Sequence, residues 1–255
     1  MYGNQIRPGG FNILPPVVKN LIIINALAFL AYYSFAVSFG IDLNAKLGLH
    51  YVGSDKFAPY QFVTYMFMHG GFGHIFFNMF ALWMFGNTLE NYWGPKRFFI
   101  YYFVTGIGAA LFYQGVQYIE AQTIIHNLKA IGLGTEQISE IVTLGKYNPA
   151  ILQSISKTEL FKLYSIYNTP TVGASGAVFG LLLAFGMTFP NAVIYLYFAI
   201  PIKAKYFVIL YGAFELWSGL ANNPQDNVAH FAHLGGMLFG FILIKMWQKN
   251  SSSWM

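Results

Sequence analysis

The chain has 255 residues, 56% hydrophobic and 9% charged, against roughly 25% charged in an ordinary soluble domain. With 26 Phe, 18 Tyr and 5 Trp to serve membrane–water boundaries, this excludes a water-soluble globule and reads as a multi-pass membrane protein. The absence of cysteine removes disulfides, thiolate catalysis and cysteine metal sites, and a net charge of +5 spread over 14 Lys and Arg suits orienting loops rather than a nucleic-acid surface.

A membrane span needs about 20 apolar residues. In chain order the candidates are 21–39, 61–86, 98–118, 173–189, 204–220 and 227–247, which predicts six. The first run starts at Leu21, is long enough to span and has no small-residue cleavage pattern after it, so it is not read as a removable signal. Between the third and fourth spans lies a polar block, 119–172, with helix-like runs "TEQISEIVTL" and "NPAILQSISKTELFKLY". Asn148 before Pro149 marks a helix start there. The block is expected to be a helical subdomain outside the membrane whose amphipathic helices rest on the membrane surface, the bundle top or another copy. The run "NAVIYLYFAI", 191–200, is bracketed by Pro190 and Pro201 and is too short to span, which predicts a re-entrant or interfacial segment.

Basic residues in short loops orient the chain. Arg7, Lys19, Lys96, Arg97, Lys203, Lys205, Lys245 and Lys249 fall on one side with Glu90 as its acid, while Lys46, Lys56 and four lysines of the long insert fall on the other beside Asp42, Asp55, Glu120, Glu136, Glu140, Glu159 and Asp226. The expectation is a cytoplasmic N-terminus, 1–20, and tail, 248–255, membrane segments 21–118 and 173–247, and an extracytoplasmic insert, 119–172. The expected setting is a bacterial inner membrane.

Polar groups at membrane depth are costly and point to function. The second span holds His69, His74 and Asn78, the last two on one helical face. The fourth opens with Ser175 in "GASGAVFG", and the sixth holds His230 and His233. Each has a plainer reading: Ser175 as a packing serine between helices, His74 and Asn78 as interhelical glue, His230 and His233 as interface residues. Together, a hydroxyl, imidazoles and a carboxamide on three spans suit acyl transfer, with Ser175 as nucleophile and His233 as base. Gly176 and Gly180 on one span, and Gly236 and Gly240 on another, are each four apart, which predicts a close helix contact bringing Ser175 to His233. His74 and Asn78 would supply N–H groups to the oxyanion, with the backbone N–H of Ser175. A third carboxylate is missing, so the expected machinery is a dyad; Glu215, in the fifth span, has no histidine at helical spacing with which to hold a metal. The histidine spacings give a metal little support, no internal repeat favours a transporter, and the serine run lacks the second glycine of the soluble nucleophile elbow.

At "MHGGFGHIFFNMFALWMFG", "LENYWGPKRFFIYYFVTG", "GASGAVFG" and "AHFAHLGGMLFG" the chain resembles the rhomboid intramembrane serine proteases, over roughly 60–118 and 170–247. The carrying pattern is H-x3-N, G-x-S-G and A-H-x2-G in that order. The resemblance implies an all-α, six-helix membrane bundle, with a helical insert between the third and fourth helices that is longer than in the family's minimal members. It implies Ser175 as nucleophile, His233 as base, His74 and Asn78 as the oxyanion pair, and Gly173 as the residue that bends the loop before the serine. Glu90, Gly94 and Arg97 match a cytoplasmic Glu-x3-Gly-x2-Arg stretch, whereas the Trp-Arg pair some members carry in the first loop is missing from 40–60. The implied activity is endopeptidase cleavage of transmembrane helices near their outer ends, with no cofactor. Its partners would be transmembrane substrates, the lipid bilayer and a second copy of the chain. The rivals are a membrane-helix-binding protein of the same shape that does not cut, and a small transporter with a histidine proton relay.

Overall fold

The computed structural model describes residues 12–196, 199–221 and 228–252. Arg7 and Asp226, both used for orientation, lie outside the described residues.

Helix α1, Pro16–Phe39, starts with a proline whose fixed φ suits the first helical position. No neighbouring side chain caps it; instead Glu90 accepts hydrogen bonds from the Val17 amide at 2.9 Å and the Val18 amide at 2.8 Å. A buried carboxylate therefore meets the positive end of the helix dipole. Of α1 only Val18, Leu21 and Asn25 are buried, while Leu27, Leu30 and Val37 stand exposed, as a helix facing lipid requires.

The short α2, Leu43–Leu47, is capped by Asp42. The predicted second span is not one helix. It begins as α3, Gln61–Thr64, with a 3₁₀ turn, opens at Met68–Gly71, and resumes as α4, Phe72–Ala81. A π-helical turn, Leu82–Gly86, joins α4 to α5, Asn87–Trp93. The Gly70–Gly71 pair is the physical reason for the opening: glycine is a poor helix former, and the break lets α4 start afresh with His74 in its first turn.

Gly94, at φ +79°, turns the chain into α6, Pro95–Ala130. This helix is 36 residues, about 54 Å at 1.5 Å per residue, well beyond a bilayer core of about 30 Å. The helix thus runs twelve residues past 118, where the expected membrane segment ends, because helix continuation follows backbone propensity and packing, and Glu120 and Gln122 are compatible with both. Beyond it come α7, Thr135–Leu144, a 3₁₀ turn, Pro149–Gln153, that Asn148 caps, and α8, Lys157–Asn168. The insert is helical as expected, but its apolar faces turn inward. Ile138, Ile141, Ile155, Leu160, Leu163 and Ile166 pack on Ala121, Ile124 and Leu128 of α6 and on Tyr51, forming a second core. Lys162 pairs with Glu120 at 2.7 Å across it.

The loop 40–60, without a Trp-Arg pair, is held by two amides: Gln61 bonds the His50 and Ala58 amides and the Lys46 and Lys56 carbonyls, and Gln114 of α6 bonds Val52 and His50. It is stitched to the insert by Ser54 on the Tyr167 carbonyl, Lys56 on Asn168, and a backbone bridge between Leu49 and Thr171.

Helix α9, Ser175–Thr188, is apolar all round and buried along most of its length, the signature of a central helix. The 191–200 run, expected to be re-entrant or interfacial, takes part in a hairpin of β1, Val193–Leu196, and β2, Ile200–Lys203, with Ile194 opposite Ile202. Between two prolines, β-branched residues pair more readily than they start a helix. Then follow α10, Ala204–Ala221, and α11, His230–Ser252.

The described fold is thus an all-α bundle with one small hairpin. By length and composition Pro16–Phe39, Pro95–Ala130 and His230–Lys249 can cross a membrane, and Ser175–Thr188 is a shorter apolar helix. Tyrosine hydroxyls lock the centre: Tyr65 donates to the Gly106 carbonyl at 2.7 Å, and Tyr101 to the Gly180 carbonyl at 2.8 Å, so these large rings are buried with their polar tips satisfied.

Candidate active site

Ser175, His74 and His230 each stand in the first turn of a helix, α9, α4 and α11 respectively, with His233 one turn further into α11. All open at one end of the bundle. The Glu90–Gly94–Arg97 stretch lies at the other end: Glu90 caps α1, Gly94 makes the turn, and the Arg97 guanidinium sits 5.9 Å over the Trp247 ring. That motif is a clamp on the scaffold, remote from Ser175.

The structure brings Ser175 and His233 together, Oγ to Nε2 at 2.9 Å. The means is the glycine contact, in part. A Cβ built on Gly236 would fall on the Gly176 carbonyl, so α9 and α11 touch backbone to backbone there. The second pair does not meet. Gly180 faces Thr105, and Gly240 faces the Tyr101 hydroxyl, because α6 wedges between the two helices at that depth. Phe179, one turn beyond Ser175, stacks on the His233 imidazole at 4.0 Å and 7°, fixing the plane of the ring.

Gly173, buried at φ +127°, donates its amide to the Tyr65 carbonyl at 2.9 Å. A Cβ there would stand 2.7 Å from His74 Nε2 and 3.5 Å from Ser175 Oγ, so this glycine keeps open the space that both side chains border. The Gly70 amide donates to His74 Nδ1 at 3.3 Å, which leaves the proton of a neutral imidazole on Nε2, toward that space. Asn78 is buried one turn further in, and its amide donates to the His74 carbonyl at 2.9 Å. It shares His74's face but makes no contact with Ser175 among the described hydrogen bonds. His69 is buried edge-on to His74 at 5.0 Å between ring centres.

Sequence reasoning missed Glu215. The expected absence of a third carboxylate is corrected: Glu215 Oε2 lies 2.8 Å from His233 Nδ1 and 2.7 Å from His230 Nδ1. Spacing within one helix cannot reveal a pair made across α10 and α11. The available signal was an acid alone in an apolar segment. His230 is accordingly no interface residue but a buried partner of this carboxylate. These three ligand atoms lie within 4.8 Å of one another and could hold a metal ion. A cation on His233 Nδ1 would fix the ring proton on Nε2, where it would face Ser175 as a donor, so metal binding and base function exclude each other there.

Residues 56–249 match the family profile described as the rhomboid domain. Among similar proteins are RHOMBOID-like protein 12, mitochondrial, of Arabidopsis thaliana, 28% identical over 86% of this chain and 55% of its own length, and Rhomboid protease AarA of Providencia stuartii, 27% identical over 70% of this chain and 52% of its own. Rhomboid protein 1, mitochondrial, of Saccharomyces cerevisiae is 26% identical over 69% and 38%. The chain thus spans about half or less of the length of these relatives. The mitochondrial names do not bear out the bacterial inner membrane expected from the sequence. With the profile covering most of the chain and the fold all-α, the chain belongs to the rhomboid family.

Proposed function

We propose that the chain is an intramembrane serine endopeptidase that cleaves transmembrane segments of other proteins. The observation that carries this reading is the 2.9 Å approach of Ser175 Oγ to His233 Nε2 beside a space kept open by Gly173. In the reaction, Oγ attacks the scissile carbonyl carbon as its proton passes to His233 Nε2. The oxyanion gathers hydrogen bonds from His74 Nε2–H, the free amide hydrogen of Asn78 and the Ser175 backbone. Collapse breaks the C–N bond, and His233 returns the proton to the leaving amine. Water then attacks the acyl-serine by the same proton route and frees the second product. A helical substrate hides its carbonyls in its own hydrogen bonds, so segments with Gly or Pro near the cut are favoured.

In this reading the chain crosses the bilayer six times with both termini cytoplasmic. The insert 119–172 then shares the extracytoplasmic side with the active site, because Thr171 is bridged to Leu49 two residues before Gly173.

A fluorophosphonate probe tests the proposal. Wild-type protein in lipid vesicles should be labelled, and Ser175→Ala should not. An unlabelled wild type would leave a helix-binding protein of rhomboid shape as the better account.

The oxyanion assignment has its own expectation. His74→Ala and Asn78→Ala should each lower kcat on the order of 10- to 1,000-fold with little change in KM, since each removes a donor to charge present only in the transition state. Initial-rate measurements on a membrane-embedded substrate decide this, and an effect confined to KM would make these residues substrate binders.

A further inference from the structure

Glu215 is the sole acidic residue of α10 and is only 3% exposed. A carboxylate at membrane depth is expensive, and this one is held by two donors on another helix. An ionised carboxylate only accepts hydrogen bonds, so the contacts at 2.8 Å and 2.7 Å put hydrogen on Nδ1 of both His233 and His230. For His233 the remaining nitrogen, Nε2, is then bare, and it is the nitrogen that faces Ser175 Oγ.

We propose that Glu215 is a positioning residue for His233, so that the centre is a Ser175–His233–Glu215 relay rather than a pair. This rests on the serine-endopeptidase reading. Glu215 selects the tautomer whose Nε2 can accept the Ser175 proton. It also stabilises the imidazolium formed when that proton arrives, remaining a carboxylate throughout. Its charge acts at short range between two buried side chains, where electrostatic interactions are stronger than in water. The ring cannot turn away from it without breaking the Phe179 stack. His230 anchors the same oxygen from one turn earlier on α11, which holds the carboxylate in place. The titratable groups that bear on His233 are Ser175 from α9, Glu215 from α10, His230 from α11 and His74 from α4.

The test uses the full chain in lipid vesicles with a transmembrane substrate. Glu215→Gln should lower kcat about 10²- to 10⁴-fold, the scale seen when a triad's acid becomes an amide, while KM stays within about twofold of wild type. The acidic limb of kcat/KM against pH should move to lower pH, because the imidazolium has lost its counter-charge and forms less readily. Glu215→Asp, which keeps the charge, should hold the limb in place and lose less than Glu215→Gln. Wild-type turnover in Glu215→Gln, an unmoved acidic limb, or equal losses in the two variants would overturn the proposal. Should neither variant fold, ¹⁵N-histidine spectra of the wild type still decide: His233 is expected as the Nδ1–H tautomer, and the Nε2–H form would refute it. A wild type that reacts with the fluorophosphonate while Glu215→Gln behaves normally sinks the relay alone. A wild type that never reacts sinks the hydrolase reading and the relay together.

Discussion

His233→Ala is expected to abolish cleavage of a membrane substrate, a loss on the order of 10⁴-fold or more, whereas His230→Ala should keep measurable turnover. The two imidazoles are close in sequence and share the Glu215 oxygen, yet only His233 reaches Ser175, at 2.9 Å. Removing it leaves Oγ as a neutral alcohol with no acceptor for its proton, and no other described side chain bonds that oxygen. Removing His230 takes one of two donors from Glu215 but leaves the Glu215–His233 contact standing. The bundle should survive both changes, because both imidazoles stand in the first turns of α11 and neither belongs to the hydrophobic core cluster. Cleavage rates beside thermal unfolding curves check this. An essential His230 with a dispensable His233 would mean the wrong base has been assigned.

Gly236→Val should be nearly as damaging, by a different route. Even a single Cβ at this position overlaps the Gly176 carbonyl, and the obstacle is backbone, which cannot swing aside as a side chain can. The helices must part, and His233, three residues earlier on α11, moves away from Ser175, one residue before Gly176 on α9. Overpacking of a close-packed contact costs about 1–3 kcal/mol in stability. The loss of activity should be much larger, since a hydrogen bond fails within an ångström of displacement. Serine labelling and substrate cleavage should therefore fall in parallel while the protein remains folded. Full labelling in Gly236→Val would remove the argument that this contact sets the site.

The site residues visible in the sequence were those carried by short spacings within one helix or by a loop next to one. His74 and Asn78 share a face because they are four apart, Ser175 lies in a glycine-rich mouth, and His233 precedes the glycine that admits α9. What failed were arguments needing two helices at once. The small-residue pairs suggest one continuous seam, but Tyr101 and Thr105 of α6 occupy its deeper half. Helical spacing can pair Glu215 only with histidines on its own helix, and its partners are on the next. Element limits failed where apolarity stood in for helicity. The second span breaks at Gly70–Gly71 although its apolar run does not, and the third helix runs on past residue 118, where its apolar run ends, because the polar residues there still favour a helix.

Glu90 closes the amides of Val17 and Val18 across 73 and 72 positions of chain. A chain made from its amino end therefore completes α1 only after α5 has been synthesised. Until then the first turn of α1 has no protein acceptor from Glu90 and must borrow from water or lipid headgroups. With only three of its residues buried, α1 has little else to hold it against the growing bundle. In the order of assembly, α1 is thus made before α5 but fastened only after it.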